Sequence, residues 1–170
     1  MGEDGRGEFA RFYEQNRDIC LRAVTARTGD RALAEDLVAE SFARAWAAWP
    51  KVSRQPAPQA WVVRTALNAQ VSWWRKHRRE VPLADQDRPV AAAEVSLDPA
   101  LVRAVSELPS RQREVFTLRI LLDLDTETTA RVLGIAPGTA MSHLSRAVAS
   151  LRNTLRPSEG APTRLENSHD

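Results

Sequence analysis

The chain has a single cysteine, Cys20, and its three histidines, His77, His143 and His169, are far apart in the sequence. One cysteine cannot form an internal disulfide, and histidines spaced in this way do not form a metal-binding motif. Cys20 lies on an apolar helical face, where we expect it to be a small core residue. Gly-rich phosphate loops and nucleophile motifs are missing as well, so we expect neither an enzymatic activity nor a cofactor.

Long apolar runs are also missing. The sequence has no run of about 18 apolar residues, which a membrane-spanning helix needs, and its first residues, MGEDGRGEFARF, lack the apolar core of a signal peptide. We therefore expect a cytoplasmic protein with no membrane insertion. The 170 residues, 43% of them hydrophobic, are enough for one domain or two small ones.

Acidic residues are absent from one long window of the chain. None occurs between Glu40 and Glu80, although the net charge of the whole chain is only +2. A basic surface of this kind predicts attraction to a polyanion such as nucleic acid. The basic residues of the window are Arg44, Lys51, Arg54, Arg64, Arg75, Lys76, Arg78 and Arg79.

Apolar residues recur at three- and four-residue steps, which predicts an all-α protein. Gly29 is expected to end the first helix and Asp30 to cap the second. Residues 81–97 contain two prolines and a run of alanines, which is typical of a flexible linker. We predict helices at about 8–28, 31–49, 59–78, 98–108 and 109–122, followed by two more within 125–152.

The segment 125–152, DTETTARVLGIAPGTAMSHLSRAVASLR, has the pattern of a helix-turn-helix. Asp125 can cap its first helix, Gly134 can end it, and Pro137 can begin the second. The buried side of the first helix is supplied by Ala130, Val132 and Leu133. The second helix presents side chains that suit a major groove: Thr139, Met141, Ser142, His143, Ser145 and Arg146. The alternative interpretation is a helical hairpin inside a core.

The third predicted helix alternates tryptophans with basic residues. Aromatic faces stack on unpaired bases and arginines follow the phosphates, so this helix is a candidate for binding single-stranded DNA. Two alternatives remain. Trp61 and Trp73 lie on about the same helical face, where a core role is the simpler interpretation. The basic residues from Arg75 to Arg79 fit a solvated helix end that complements the helix dipole.

From Phe9 to Arg156 the chain resembles the extracytoplasmic-function (ECF, group IV) sigma factors, which are specificity subunits of bacterial RNA polymerase. The resemblance rests on AEDLVAESFARAW at 34–46, AWVVRTALN at 60–68, LPSRQREVF at 108–116 and the helix-turn-helix. It implies an all-α fold of two small helical domains joined by a flexible linker. The implied domains are sigma region 2 at 8–80, the linker at 81–97, sigma region 4 at 98–156 and a disordered tail at 157–170.

The resemblance also implies three sets of contacts. The clamp coiled coil of the largest subunit of core RNA polymerase would bind Asp36, Leu37, Glu40, Ser41 and Arg44. The unwound −10 element would contact Asn68, Ser72, Trp74, Arg75, Lys76, Arg78 and Arg79, with the loop 79–84 reading a flipped base. The −35 element would contact Thr139, Met141, Ser142, His143, Ser145 and Arg146. An anti-sigma factor is the expected regulatory partner. The resemblance also places Thr129 where the family buries an aliphatic residue, so its hydroxyl would need a backbone acceptor one turn back.

By this resemblance the protein would direct core polymerase to promoters by −35 recognition and −10 melting, with no cofactor. Two alternatives remain. A helix-turn-helix transcriptional regulator that acts without docking on core polymerase accounts for 98–156 but gives the basic third helix no role. A protein-interaction module accounts for the helices but not for the acid-free window.

Overall fold

A computed structural model of the chain describes residues 3–77 and 98–156, with side chains from 4–70 and 98–156. These two ranges contain eight α-helices and no strand, which confirms the all-α prediction. A π-helical turn at Thr117–Leu121 extends the sixth helix. The helices are α1 Glu3–Thr28, α2 Arg31–Ala47, α3 Trp49–Val52, α4 Pro58–His77, α5 Pro99–Glu107, α6 Ser110–Phe116, α7 Thr126–Leu133 and α8 Pro137–Leu155.

The junction between α1 and α2 forms as the sequence predicts. Gly29 has a φ of 70°, a left-handed conformation that glycine adopts at little cost. The Asp30 side chain accepts a hydrogen bond from the Leu33 backbone N–H at 3.0 Å and caps α2. The prediction was less accurate at the other end of α2. This helix stops at Ala47, and the chain begins the short helix α3 with Pro50 in its first turn.

The N-terminal module, α1 to α4, has an aromatic core. Trp49 is 3% exposed, lies against Phe9 and Phe12 with ring centroids 5.1 and 4.9 Å away, and donates from Nε1 to Glu8 Oε2 at 3.1 Å. Cys20 is fully buried, and burial raises the pKa of its thiol to about 12. The thiol is therefore protonated at neutral pH, as the core interpretation predicts.

The C-terminal module, α5 to α8, departs from a regular helix after Phe116. The Leu122 N–H donates to the Thr117 carbonyl, five residues back, at 3.0 Å. The Thr117 hydroxyl donates to the Arg113 carbonyl at 2.8 Å. The extra residue in the turn lets both Leu118 and Leu122 face the interior, where each is at most 3% exposed. A three- to four-residue periodicity does not reveal such a turn.

The helix-turn-helix forms with the predicted end groups. Asp125 Oδ1 accepts from the Thr128 N–H at 2.7 Å, and Gly134 adopts a φ of 65°. Hydrogen bonds from the Thr128 backbone, and then from its hydroxyl, lower the pKa of the Asp125 carboxyl. The carboxylate therefore caps α7 at neutral pH, and the cap weakens only as acid protonates it. Pro137 stands in the first turn of α8.

The two modules pack against each other. One buried apolar cluster contains Leu21, Val24 and Val62 of the N-terminal module together with Leu118 and Leu133 of the C-terminal module. The sequence predicted two small modules on a linker but did not predict this packing. The linker 81–97 and the tail 157–170 lie outside the described residues, so their predicted character stays a prediction.

A half-buried arginine lies at the seam between the modules. Arg27 Nη1 donates to Thr117 Oγ1 at 3.2 Å. Burial, and then the nearby charge of Arg113, lowers the pKa of Arg27 to about 10. The guanidinium therefore remains charged at neutral pH, and its bond to the hydroxyl is charge-assisted.

Thr129 and its neighbour Thr128 are expected to respond oppositely to valine. Thr129 is fully buried, and its hydroxyl has no hydrogen-bond partner among the described residues, contrary to the acceptor that we expected. Thr128 Oγ1, in contrast, donates to Asp125 Oδ2 at 2.8 Å. Thr129→Val should raise the free energy of unfolding by about 1 kcal/mol, because it removes an unpaired buried hydroxyl.

Thr128→Val is the matched control, because it makes the same substitution one residue earlier in α7. It should lower the free energy of unfolding by about 1 kcal/mol, because it removes the bond to Asp125 and the bond that the hydroxyl accepts from Arg131 Nη2 at 3.2 Å. Urea denaturation of both variants measures the difference. Equal destabilisation by the two substitutions would contradict the unpaired state of the Thr129 hydroxyl.

Candidate nucleic-acid interface

The second helix of the helix-turn-helix, α8, presents an exposed polar face. Buried Ala140, Ala147 and Leu151 anchor its opposite side against α6 and α7. This packing holds the exposed side chains on a rigid element, as groove recognition requires. The exposed members of the predicted set are Thr139, Met141, which is 62% exposed, Ser142, Ser145 and Arg146.

His143 differs from the rest of the predicted −35 set. Its side chain is half-buried, and its Nδ1 is buried with no hydrogen-bond partner among the residues that the structure describes. The residue lies at the border between the exposed and packed sides of α8, beside half-buried Leu144. The structure therefore corrects its expected exposure, placing it at the edge of the exposed face of α8, and its contact with the −35 element stays a prediction.

The basic helix α4 carries a second exposed face. Arg64 and Asn68, one turn apart, are both exposed, whereas Trp61 is half-buried and packs against the core. The core interpretation of Trp61 is thus the correct one. The side chains of Ser72, Trp73, Trp74, Arg75 and Lys76 lie outside the described set, as do all of Arg78, Arg79 and the loop to Ala84.

A cleft of about 290 Å³ separates α4 from α7. Arg64 Nη1 crosses it and donates to the Val132 carbonyl at 2.9 Å. Among the described residues no acidic side chain lines the cleft, so two guanidiniums leave it positively charged. Sequence reasoning placed Arg64 in the basic window but assigned it no contact, because its partner lies 68 residues away. The lining includes Trp61, Arg64, Thr65, Asn68, Arg131 and Val132.

The structure divides the predicted polymerase-binding residues of α2 into two groups. Asp36, Glu40 and Arg44 are exposed, and Glu40 pairs with Arg44 one turn on. Leu37 is 7% exposed and Ser41 is fully buried, with its hydroxyl donating to the Leu37 carbonyl at 2.7 Å. The positions of Leu37 and Ser41, one helical turn apart, turn both toward the core rather than the surface, and their predicted contacts with polymerase stay a prediction.

Within the described ranges, no helix combines the length and the apolar character that crossing a membrane requires. No group of three or more histidine, cysteine or acidic side chains in these ranges is placed to hold a metal ion.

An exposed polar face on the second helix of a helix-turn-helix, beside a basic helix in a second module, defines a DNA-binding class of protein. Comparison with known families agrees. The family model for sigma-70 region 2 matches residues 12–80, and the model for sigma-70 region 4 matches residues 99–151.

Full-length relatives extend the match across both modules. The RNA polymerase sigma-E factor of Streptomyces coelicolor is 32% identical over 152 residues, which cover 87% of this chain and 86% of the relative. The ECF RNA polymerase sigma factor SigL of Mycobacterium tuberculosis is 33% identical over 156 residues, which cover 85% and 87%. The chain belongs to the sigma-70 family of RNA polymerase sigma factors, in its ECF class.

Solved structures show the same fold. The sigma factor RpoE of Bartonella quintana, in complex with the anti-sigma factor NepR, aligns with a TM-score of 0.66 at 27% identity over 87% of this chain and 96% of that one. CnrH, in complex with the cytosolic domain of CnrY, aligns with a TM-score of 0.62 at 20% identity, covering 88% of each chain. The match to region 2 disfavours the alternative of a regulator that acts without polymerase.

Proposed function

We propose that this protein docks on core RNA polymerase, reads the −35 element with α8 and binds the melted −10 element with α4 and the residues after it. The observation that carries the proposal is the exposed face of α8, held on a packed helix-turn-helix within the region 4 match. Binding energy rather than catalysis drives this reaction, so the protein needs no enzymatic activity.

The α8 face supplies different kinds of groove contact. A guanidinium such as that of Arg146 can bond the O6 and N7 of a guanine or a phosphate. Met141 offers an apolar surface that suits a thymine methyl group, and the Ser142 and Ser145 hydroxyls can donate or accept. Because α8 has a single exposed arginine within this face, shape and hydroxyl contacts carry much of the −35 recognition.

The −10 assignment extends from Asn68 along α4. Asn68 is exposed, and Ser72, Trp74, Arg75, Lys76, Arg78 and Arg79 follow it in the sequence. Opening a base pair costs a few kcal/mol, and base stacking plus arginine contacts to the released strand offset that cost. Melting therefore requires that this surface be accessible to the non-template strand.

Exposed charges on α2 form the proposed polymerase-binding face. Replacing both Asp36 and Glu40 with alanine should weaken binding to core polymerase about tenfold. Charges at the rim of an interface raise the association rate and pair with opposite charges on the partner. The matched control is Glu14→Ala with Asp18→Ala, two exposed acids at the same four-residue spacing on α1. Pull-down and fluorescence anisotropy with core enzyme measure both. Equal binding by the two double variants would refute the α2 assignment.

We also propose group IV membership, cytoplasmic action and control by an anti-sigma factor. Only residues 81–98 separate the two region matches, which leaves no room between them for a middle domain. Polymerase and promoter DNA are cytoplasmic in bacteria. The RpoE structure contains an anti-sigma factor, and its sigma factor shares the fold of this chain.

Transcription in vitro tests the proposed function. The purified protein is added to sigma-free core polymerase on genomic DNA of its source, and transcript 5′ ends are sequenced. Discrete new start sites that share upstream −35 and −10 elements are the expected result. If no start sites appear while the free protein binds duplex DNA, the regulator alternative is correct instead.

A further inference from the structure

An open apolar groove of about 650 Å³ lies between α5 and the C-terminal half of α8. Its lining includes Phe116 and Leu151, which belong to the buried cluster of the C-terminal module. Leu101 and Val148 in the groove are half-buried, and Leu155, in the last turn of α8, is 38% exposed. Among the described residues, no acidic side chain lines the groove. The groove is therefore an apolar surface that the described helices leave unfilled.

We propose that the C-terminal tail, residues 157–170, folds back along α8 and covers this groove, with Leu165 as its apolar anchor. Such docking departs from the disordered tail that the resemblance implies. It needs only this chain, so it does not depend on the proposed function. While the tail is docked, a helix or peptide of another protein cannot enter the groove, which makes the tail an intramolecular competitor for this surface.

The chain leaves α8 directly at the groove. The helix ends at Leu155, and Arg156, which lines the groove, has an extended backbone with a ψ of 128°. Pro157 follows and cannot continue the helix. From Arg156 to Leu165 the chain can extend by about 30 Å, whereas Val148 lies only about 10 Å before Leu155 along the helix axis. The tail is therefore long enough to run back over the whole groove.

The tail and the groove have complementary charges. Arg152 and Arg156 both line the groove, and neither pairs with an acidic side chain in the part of the chain that the structure describes. The tail sequence, PSEGAPTRLENSHD, contains three acids and one arginine, and Glu166 directly follows its single leucine. Docking of Leu165 would bring Glu166 close to the two arginines, where opposite charges attract.

The tether makes a short docking segment sufficient. One leucine and a few charges would bind weakly as a separate peptide, because association itself costs free energy. A short flexible connection gives the tail an effective concentration of the order of millimolar at the groove, so a weak contact is enough. A second copy of the chain or another protein would instead need a much larger interface. This difference favours the tail as the occupant.

Chemical labelling of a cysteine in the groove tests the proposal. Asn153 lines the groove and is exposed, so Asn153→Cys adds a reactive thiol without removing an apolar side chain. Ser150→Cys is the matched control, because Ser150 is exposed on the same helix and does not line the groove. The native Cys20 is fully buried, which keeps its thiol from the reagent. The rate of labelling is measured in the full chain.

A second substitution in each cysteine variant then releases the tail. Leu165→Gln should raise the labelling rate of Asn153→Cys about tenfold, the change expected if the native tail is docked in about nine molecules of ten. The rate for Ser150→Cys should not change. Thr163→Gln controls for the added amide, because it leaves Leu165 in place. It should change neither rate.

Three results would overturn the proposal. If Leu165→Gln leaves the rate of Asn153→Cys unchanged, the tail does not cover the groove through this leucine. If it accelerates both cysteines equally, the tail shields α8 in general and not the groove. If protection of Asn153→Cys increases with protein concentration, a second copy of the chain is the occupant. Protection that does not depend on concentration and is lost only with Leu165 supports docking within one chain.

Discussion

Replacing Trp49 with alanine is expected to lower the free energy of unfolding by about 3–5 kcal/mol, the range for removing a large buried aromatic side chain. The indole is 3% exposed and packs edge-on against Phe9. Its Nε1–H also bonds Glu8 Oε2, so the substitution removes a hydrogen bond as well as packing. Loss on this scale is a large part of the stability of a small domain.

Trp46→Ala is the matched control, because it removes the same side chain three residues earlier. Trp46 is 40% exposed and also lies edge-on against Phe9, at 5.0 Å between ring centroids. Since much of its surface already meets water, its removal should cost about 1 kcal/mol. Denaturant unfolding followed by circular dichroism, which does not depend on tryptophan fluorescence, measures both. Equal losses would contradict the division between buried and exposed tryptophan.

The tryptophan pair also shows where prediction from sequence reached its limit. Trp46 and Trp49 both lie in the single helix predicted at about 31–49, three residues apart, and that prediction does not distinguish their environments. In the structure α2 ends at Ala47 and α3 begins at Trp49. This break turns Trp49 into the core and leaves Trp46 partly exposed. The helical periodicity does not reveal this break. Pro50 does not reveal it either, because proline is common both in the first turn of a helix and just after a helix ends.

Local features of the sequence were predicted well for a physical reason. The caps Asp30 and Asp125 and the left-handed Gly29 and Gly134 all occur where expected. Each depends on backbone groups within a few residues, so the sequence around it contains the whole interaction.

Long-range features were not predicted for the same reason. The hydrogen bond from Arg64 to Val132 and the bond from Arg27 to Thr117 join residues 68 and 90 positions apart. The exposure of a helical side chain is also hard to predict when a neighbouring module packs against a second side of the same helix. The burial of Ser41 has a different cause, because a small hydroxyl side chain that bonds its own helix at the Leu37 carbonyl fits a packed side as well as an exposed one.

The candidate sites followed the same division. The exposure of the α8 side chains follows from the helical pattern at all predicted positions but one, because a helix with one packed side leaves the opposite side to solvent; their contacts with DNA stay a prediction. His143 is the exception. It lies at the border of the exposed face, where the helical pattern does not determine whether a side chain is exposed or buried. The cleft between α4 and α7 was missed, because it exists only where the two modules meet.

Arg146→Ala is expected to weaken recognition of the −35 element by about 1–3 kcal/mol and to relax preference at one base position. The Arg146 side chain lies on the exposed face of α8, whereas buried Ala147 beside it holds the helix in place. The substitution therefore removes a DNA contact without disturbing the core. Holoenzyme binding to −35 duplexes that differ at single positions measures both effects.

Arg152→Ala is the matched control, which distinguishes the effect of losing an arginine at position 146 from the effect of losing one positive charge. Arg152 is also exposed on α8, but it lies in the last turn, six residues beyond Arg146. Both variants lose one positive charge, so both should lose a similar, salt-dependent share of affinity for any duplex. Only Arg146→Ala should lose discrimination between the mapped −35 sequence and its single-base variants. If Arg152→Ala relaxes the same base preference, the reading face extends along α8 and Arg146 is not its centre; if neither does, α8 does not read the −35 element.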